Sequence, residues 1–318
     1  MRIVPASFTI LDELDRQSMA RRIEFCGRLC YKSEEKINAD STEPFIRKVM
    51  EHGHNSVMEM AALTLRVRCE TEAIIDQFLA IQPKFLQLDR PDKREKNLLL
   101  SGTVRAFREL FQSHPNVKLI KGVTAFLAGR YPLFFFDLAG RRGFLAQTGV
   151  EVEKISLAEV EELSADLLAK HRYLAVRFVT NRAVTHEIVR HRPCSFLQES
   201  QRYCRYSQDK FGNEVTFIKP LFFAEGSEEY RLWERAMVET ERIYLQLLTT
   251  ASPQAARTVL PNSCKTEIIV YANLLEWLHI FRLRTTRAAE PSMREVMNPL
   301  LIEMQRRYPI IFAGIQGE

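Results

Sequence analysis

Two strand patterns of the same kind, set far apart along the chain, restrict the folds open to this sequence. LTLRVR from Leu63 alternates apolar and charged residues as a half-buried strand does, and YLAVRFVTN from Tyr173 reads as its matching strand. Between them, residues 70 to 172 contain helical patterns of their own, TEAIIDQFLAI, LSGTVRAFRELFQ and SLAEVEELSADLLAKH. The spacing predicts one domain over 1–318, interrupted by an inserted, mostly helical segment at about 70–172.

Outside that segment the helical signals are clear. MARRIEFCGRLCYKS places Met19, Ile23, Cys26 and Cys30 at helical spacing, and STEPFIRKVMEHG reads as a second helix opened by Ser41 or Thr42 and stopped at Gly53. SEEYRLWERAMVETERIYLQLL is a long amphipathic helix whose Trp233, Met237, Tyr244 and Leu248 form a core-packing stripe. TEIIVYANLLEWLHIFRLR is an apolar run that becomes a helix at Asn273, a capping residue with Glu276 three positions on.

With 318 residues, 46% of them apolar, the chain can bury a substantial core. Its longest apolar patch, around Phe135, is broken by Pro132 and Asp137, so no membrane span is predicted. The first sixteen residues carry acids where an export signal has its apolar run. Six cysteines, with no CxxC pair and no zinc-type Cys/His spacing, point to a reduced, cytoplasmic protein. The net charge of +5 is mild, but its placement is not, because arginine and never lysine concentrates between residues 182 and 205.

In that region NRAVTHEIVRH, Asn181 to His191, fits a helix with Val184 and Ile188 on one face and Glu187, Arg190 and His191 on another. Pro193 must end it, because the ring cannot sit inside a helix. The arginines therefore emerge at a helix exit, with Ser195 and Ser200 following, an arrangement suited to a phosphorylated small molecule. A structural ion-pair network fits the same residues. HEIVRH is not a zinc helix, since the position four after His186 is Arg190. A nucleic-acid surface is disfavoured by the missing lysines and the lack of a binding module.

The full string VTHEIVRHRPCSFLQESQRYCRY resembles the signature of flavin-dependent thymidylate synthases, an RHR triplet followed by Ser and then by Glu-Ser-x-Arg-Tyr. HGHNSVMEMAALTLRV resembles the upstream His-x-Ser/Thr…Glu segment of that family, and ARTVLPNSCKTEIIVYANLLEWLHIFRLRTTRAA its C-terminal segment. The resemblance implies an α+β protein with a flavin-dependent thymidylate synthase-like fold: a central, mainly antiparallel sheet flanked by helices, here with a helical insertion. It implies reductive methylation of dUMP to dTMP, with 5,10-methylenetetrahydrofolate and NADPH as co-substrates and FAD as hydride carrier, in a homotetramer whose sites draw on several subunits. No metal, membrane or nucleic-acid partner is implied.

Carried over residue by residue, the resemblance assigns FAD to His54, Ser56, Arg190, His191, Arg192, Glu199, Asn273 and His279. It assigns dUMP to Glu187, Arg190, Glu199, Ser200, Arg202, Arg257 and Arg284, with Arg284 facing the uracil as the catalytic residue. A fixed cation there favours the ionised ring, which is electron-rich at C5. Cys194 and Cys204 are not expected as nucleophiles, and the lack of GxGxxG does not count against FAD, because this family does not hold it on a Rossmann fold.

The sequence departs from the family at Gln198, Met60, Leu275 and Glu290-Pro291-Ser292. Leu275 stands where many members have a flavin-contacting arginine. That change implies weaker FAD binding or a compensating arginine from the insertion, with Arg141 and Arg142 as candidates by charge. Two other readings stay open: a related methylase acting on UMP, and a non-catalytic nucleotide-binding homologue.

Overall fold

The computed structural model describes residues 1–139, 149–202, 204, 206–207 and 212–317. Arg141 and Arg142 lie outside the described residues. The strands are β1 (Arg2–Val4), β2 (Ser7–Ile10), β3 (Ala62–Cys69), β4 (Leu86–Asp89), β5 (Asn97–Thr103), β6 (Val150–Lys154), β7 (Tyr173–Asn181), β8 (Ser195–Gln198), β9 (Thr216–Ile218) and β10 (Lys265–Asn273). They form two four-stranded sheets, β2-β7-β10-β8 and β4-β5-β3-β6, both antiparallel, and a parallel pair β1-β9.

In the first sheet β7 and β10 run side by side over nine paired residues, from Lys265↔Asn181 to Asn273↔Tyr173. Both are central strands, so their sequences are buried on two faces and lose the alternation of an edge strand. Val176 and Phe178, opposite Val270 and Ile268, point to a core shared with the helices Arg182–Ile188, Leu274–Arg284 and Pro291–Arg307. Ala175, Leu197, Ile269 and Tyr271 point the other way, to a larger core shared with the helix Met19–Tyr31 and with the second sheet.

The sequence reading placed β3 and β7 correctly but paired them wrongly. β3 lies in the second sheet between β5 and β6, and β7 lies in the first. The segment read as a helical insertion supplies three of the second sheet's four strands as well as the helices Glu72–Ala80, Val104–Ser113, Lys118–Arg130 and Pro132–Ala139. LSGTVRAFRELFQ is split between them. Leu100 to Thr103 complete β5, and the helix begins at Val104 with the Thr103 hydroxyl accepting from Ala106 N at 3.2 Å. The miss has a physical cause: NLLLSGT is buried on both faces and shows no period of two. SLAEVEELSADLLAKH likewise forms two helices, Leu157–Glu161 and Ala165–His171, the first opened by a Ser156/Glu159 capping box.

A polar seam joins the sheets. His171 bonds Ser101 Oγ through Nδ1 at 2.8 Å and Asp89 through Nε2 at 3.1 Å, and Ser101 in turn bonds Thr64 at 2.7 Å. Asp89 and Ser101 come from the inserted segment. A third, smaller core holds Met237, Tyr244 and Leu248 of the helix Glu228–Leu247 and its C-cap against Cys204, Tyr206, Ala256 and Cys264. No helix among the described residues is long and apolar enough to cross a membrane.

Candidate active site

The residues that carry chemistry cluster where two helices converge on one face of the first sheet. The helix Leu274–Arg284 starts where β10 ends, capped by Asn273 Oδ1 accepting from Glu276 N at 2.9 Å. The helix Arg182–Ile188 starts at the opposite end, after β7, capped by Asn181 Oδ1 accepting from Val184 N at 2.9 Å. β7 and β10 are antiparallel, so the two helices run toward each other over the sheet and meet at their C-terminal ends. Arg284 sits at that meeting point.

Its guanidinium is held on three sides. Nη1 donates to Glu187 Oε2 at 2.8 Å, Nη2 to the Glu187 carbonyl at 3.2 Å, and Nε to His191 Nε2 at 3.1 Å. A cation beside a helix C-terminus is electrostatically favoured, and the last-turn carbonyl gains a donor. The helix stops at Ile188 rather than reaching His191 as its sequence implies. Tighter turns follow, with Arg190 N bonded to Glu187 O and His191 N to Ile188 O, and they carry the imidazole back toward Arg284.

His191 is buried, and its pKa is pushed down to about 4 by burial, with Arg284 and His279 acting in the same direction. It is therefore neutral at physiological pH. Because Nε2 accepts from Arg284, the proton resides on Nδ1, which lies 3.9 Å from Glu276 Oε1. The His279 ring meets His191 edge-on with centroids 5.8 Å apart. Glu276 Oε1 is enclosed and has no hydrogen-bond partner among the described residues, and burial raises its carboxyl pKa. His191, Glu276 and His279 bring their ligand atoms within 4.8 Å of one another. A metal there would need the Nδ1 lone pair of His191, which the Arg284 hydrogen bond denies it.

One cavity adjoins this cluster through Glu276, and a second shares Arg105 with the first. The first, of about 600 Å³, is lined by Arg192, Cys194, Asn273, Leu275 and Glu276 on the motif side. On its other side stand Glu59, Phe85, Gln87, Thr103 and Arg105. The second, of about 440 Å³, is lined by His54, Ser56, Tyr31 and Leu197, and again by Arg105. Both fall in the size range of small-molecule sites. Gly53, at φ +68°, turns the chain out of the helix Thr42–Glu51 into the segment that carries His54 and Ser56. The donor set suits a flavin dinucleotide: Arg192 for phosphate, and Glu276 Oε1 as a waiting acceptor for a ring N–H.

The other expected substrate residues lie elsewhere. Side chains alternate along β8, so Gln198 faces the helices, reaching Thr185 at 3.0 Å, and Glu199 faces the opposite side of the sheet. There Glu199 is buried, accepting from Lys265 Nζ at 2.9 Å and Tyr206 OH at 3.0 Å, beside Glu267 and Lys32 in a third cavity of about 640 Å³. Ser200 follows, its amide bonded to the Cys30 carbonyl, and Arg202 is exposed next to it. Arg257 is exposed directly after Ala256, which packs in the same small core as Cys204 and Tyr206. Arg190 is exposed, with Nε on the His186 carbonyl at 3.2 Å. One chain thus gathers Glu187, His191, Arg284 and His279 on the helix face, and Arg192, Asn273, His54 and Ser56 around two adjoining cavities. Glu199, Ser200, Arg202 and Arg257 line neither of these two cavities, although the Ser200 amide bonds Cys30, which lines the second.

Sequence reasoning missed Glu276 and Arg105 as lining residues. Glu276 was legible only as a partner of the cap, and Arg105 lay in a segment without motifs. None of the six cysteines is in a disulfide. Cys194 lines the cavity beside Glu276, but burial pushes its thiol far above the ordinary range, so it is a poor nucleophile.

The comparisons with known proteins meet this geometry. The family model for thymidylate synthase complementing protein matches residues 12–79 and 166–310. Flavin-dependent thymidylate synthase of Pyrococcus furiosus is 38% identical over 128 residues, covering 40% of this chain and 52% of that protein. The enzyme of the same name from Corynebacterium aurimucosum is 30% identical over 174 residues, covering 49% and 67%, and that of Geobacter sulfurreducens 34% over 133, covering 42% and 56%. The chain spans about half the length of the Pyrococcus relative. The matched segments hold every residue of the Arg284 cluster and both motif walls of the cavities, and the gap between them is the segment that builds most of the second sheet. The chain belongs to the thymidylate synthase complementing protein family.

Proposed function

We propose that the chain is an FAD-dependent thymidylate synthase with the fold of that family, a methyltransferase that converts dUMP, 5,10-methylenetetrahydrofolate and NADPH with a proton to dTMP, tetrahydrofolate and NADP⁺. The observation that carries this reading is the convergence of three distant motif segments, around 54–59, 192–195 and 273–276, on two cavities that share Arg105, with Glu276 of the first cavity 3.9 Å from the imidazole that Arg284 holds. His54, Ser56, Arg192 and Asn273 would hold the FAD, with His191, His279 and Arg190 beside it. FAD, when bound, supplies the hydride that completes the methyl group.

The protein's part is position and field. Arg284 is fixed by Glu187 and His191 before any ligand arrives, so its charge needs no reorganisation to favour the ionised uracil and an electron-rich C5. His191 remains a neutral acceptor because burial, with Arg284 and His279 beside it, pushes its pKa down. Glu199, Ser200, Arg202 and Arg257 would complete the dUMP site. Their separation from Arg284 within one chain supports a homotetramer in which a neighbouring copy presents them. The domain is proposed to be single, because the larger core takes side chains from both sheets. Six cysteines outside any disulfide accord with a cytoplasmic setting.

The test is direct. Purified protein reconstituted with FAD should show a flavin band and release tritium from C5-labelled dUMP only when methylenetetrahydrofolate and NADPH are both present. A protein that takes up no flavin, or that turns over UMP in preference to dUMP, refutes the assignment.

A further inference from the structure

The cavity of about 600 Å³ beside Glu276 presents a contradiction that this chain resolves in its own way. Leu275, 42% exposed, lines the cavity where the family resemblance places a flavin-contacting arginine. Facing the motif side of the same cavity is Arg105, from the helix Val104–Ser113. This residue lies outside both segments matched by the family model, so the family pattern gives it no role. It also lines the neighbouring cavity with His54 and Ser56, and so stands between the two.

The guanidinium of Arg105 is tethered but not saturated. Nε donates to Glu109 Oε1 and Nη1 to Glu59 Oε1, each at 2.6 Å. Nη2 has no hydrogen-bond partner among the described residues, and the side chain is 37% exposed. Two acids that line the same cavity fix the orientation of the fork and leave Nη2 without a protein partner among the described residues. Arginine is suited to this role, because its planar fork can hold a carboxylate and a phosphate oxygen at once.

We propose that Arg105 binds the pyrophosphate of the flavin dinucleotide, supplying from the inserted segment the cation that Leu275 removes from the family's own position. The inference rests on the FAD-dependent reading above. It makes the inserted segment part of the cofactor site and turns Leu275 from a lesion into a relocation. Glu59 and Glu109 oppose the anion and hold the affinity down, so removing one of them should strengthen binding.

The experiment is titration of the purified full chain with FAD and, separately, with riboflavin, which lacks the phosphates, following flavin fluorescence. Arg105→Ala should raise the Kd for FAD by about tenfold or more, the loss of a charge-assisted contact, and leave the Kd for riboflavin unchanged. Arg105→Lys should fall between wild type and Arg105→Ala. Glu109→Gln should tighten FAD, and Leu275→Arg placed in the Arg105→Ala background should restore most of the lost affinity. Thermal unfolding without flavin reports whether each variant is folded; should Arg105→Ala prove unfolded, Arg105→Lys and Glu109→Gln carry the test, and FAD affinity unmoved in both overturns the proposal. Equal FAD affinity in wild type and a folded Arg105→Ala overturns it alone, as does an equal loss for riboflavin. A wild-type protein that binds no FAD overturns the underlying reading, and this inference with it.

Discussion

The two four-stranded sheets divide the labour of the molecule unequally. In the first, β7, β8 and β10 all fall within the segments shared with the family, and the helices that follow β7 and β10 deliver Glu187, His191 and Arg284 to one point. In the second, only β3 falls within those segments. Yet β4, β5 and the helix after β5 raise the far wall of the cavity beside Glu276, through Phe85, Gln87, Thr103 and Arg105. Phe85 is 78% exposed there and holds a φ of +62°, which a bulky residue rarely adopts. The contrast teaches that the inserted segment is not an ornament on a finished fold. The shared segments carry the family's motif residues, and the added segment completes the cavity that some of them line.

The strongest way to break that comparison is through the core. Phe107, fully buried in the helix behind the cavity wall, belongs to the same cluster as Ile269 and Tyr271 of the first sheet. Phe107→Ala should cost about 3–5 kcal/mol. Thermal unfolding followed by both tryptophan fluorescence and circular dichroism should still show one transition, moved to lower temperature. Two transitions, with the second at the parent temperature, would mean that the added segment folds alone and that the domain is not single.

Arg284→Ala attacks the other side of the comparison. Removing a preorganised cation from the reacting site should lower turnover by roughly 10²–10³-fold. It also leaves Glu187 without its ion partner on a half-exposed surface, so the loss of stability should be small. Tritium release from C5-labelled dUMP, set against the Kd for the nucleotide, separates the two effects: binding weakened but measurable, methylation nearly abolished. Turnover equal to the parent's would remove Arg284 from the mechanism.

The uneven legibility of the sequence has the same origin as the division between sheets. β7 was read to its ends, β10 and the helix from Asn273 nearly so, because long strands with clear turn and cap residues declare themselves. β5 did not, being buried on both faces, and β4 and β8 are four residues each, too short for a period to emerge. The convergence of Glu187, His191 and Arg284 depends on two helices meeting over an antiparallel pair, which no local pattern encodes. It was reached only through the family's motifs. Arg105 illustrates the remainder: beside Glu109 four residues on, it reads as an ordinary solvated helix pair until the cavity around it is known.

The smallest expected effect probes the seam itself. His171 ties both Ser101 and Asp89 to the helix leading into β7, where Lys170 adds a second bond to Asp89 at 2.9 Å. Burial lowers its pKa, an effect that the Asp89 carboxylate opposes without reversing. In the unfolded chain the imidazole takes up a proton below about pH 6.5, and in the folded chain it does so only at lower pH. The folded state therefore binds fewer protons in that window, and stability must fall as pH falls below the unfolded value. His171→Gln keeps a polar group for Ser101 or Asp89, but not both, and should cost about 1–3 kcal/mol at neutral pH. Because it cannot titrate, its stability should also decline less between neutral and mildly acidic pH than the parent's. His191, depressed in the same sense, is present in both proteins and cancels from the comparison. Parallel stability curves for parent and variant would show that the seam does not depend on a neutral imidazole, and that its other contacts, among them Ala62 N to Tyr271 OH at 3.1 Å, hold the two sheets together.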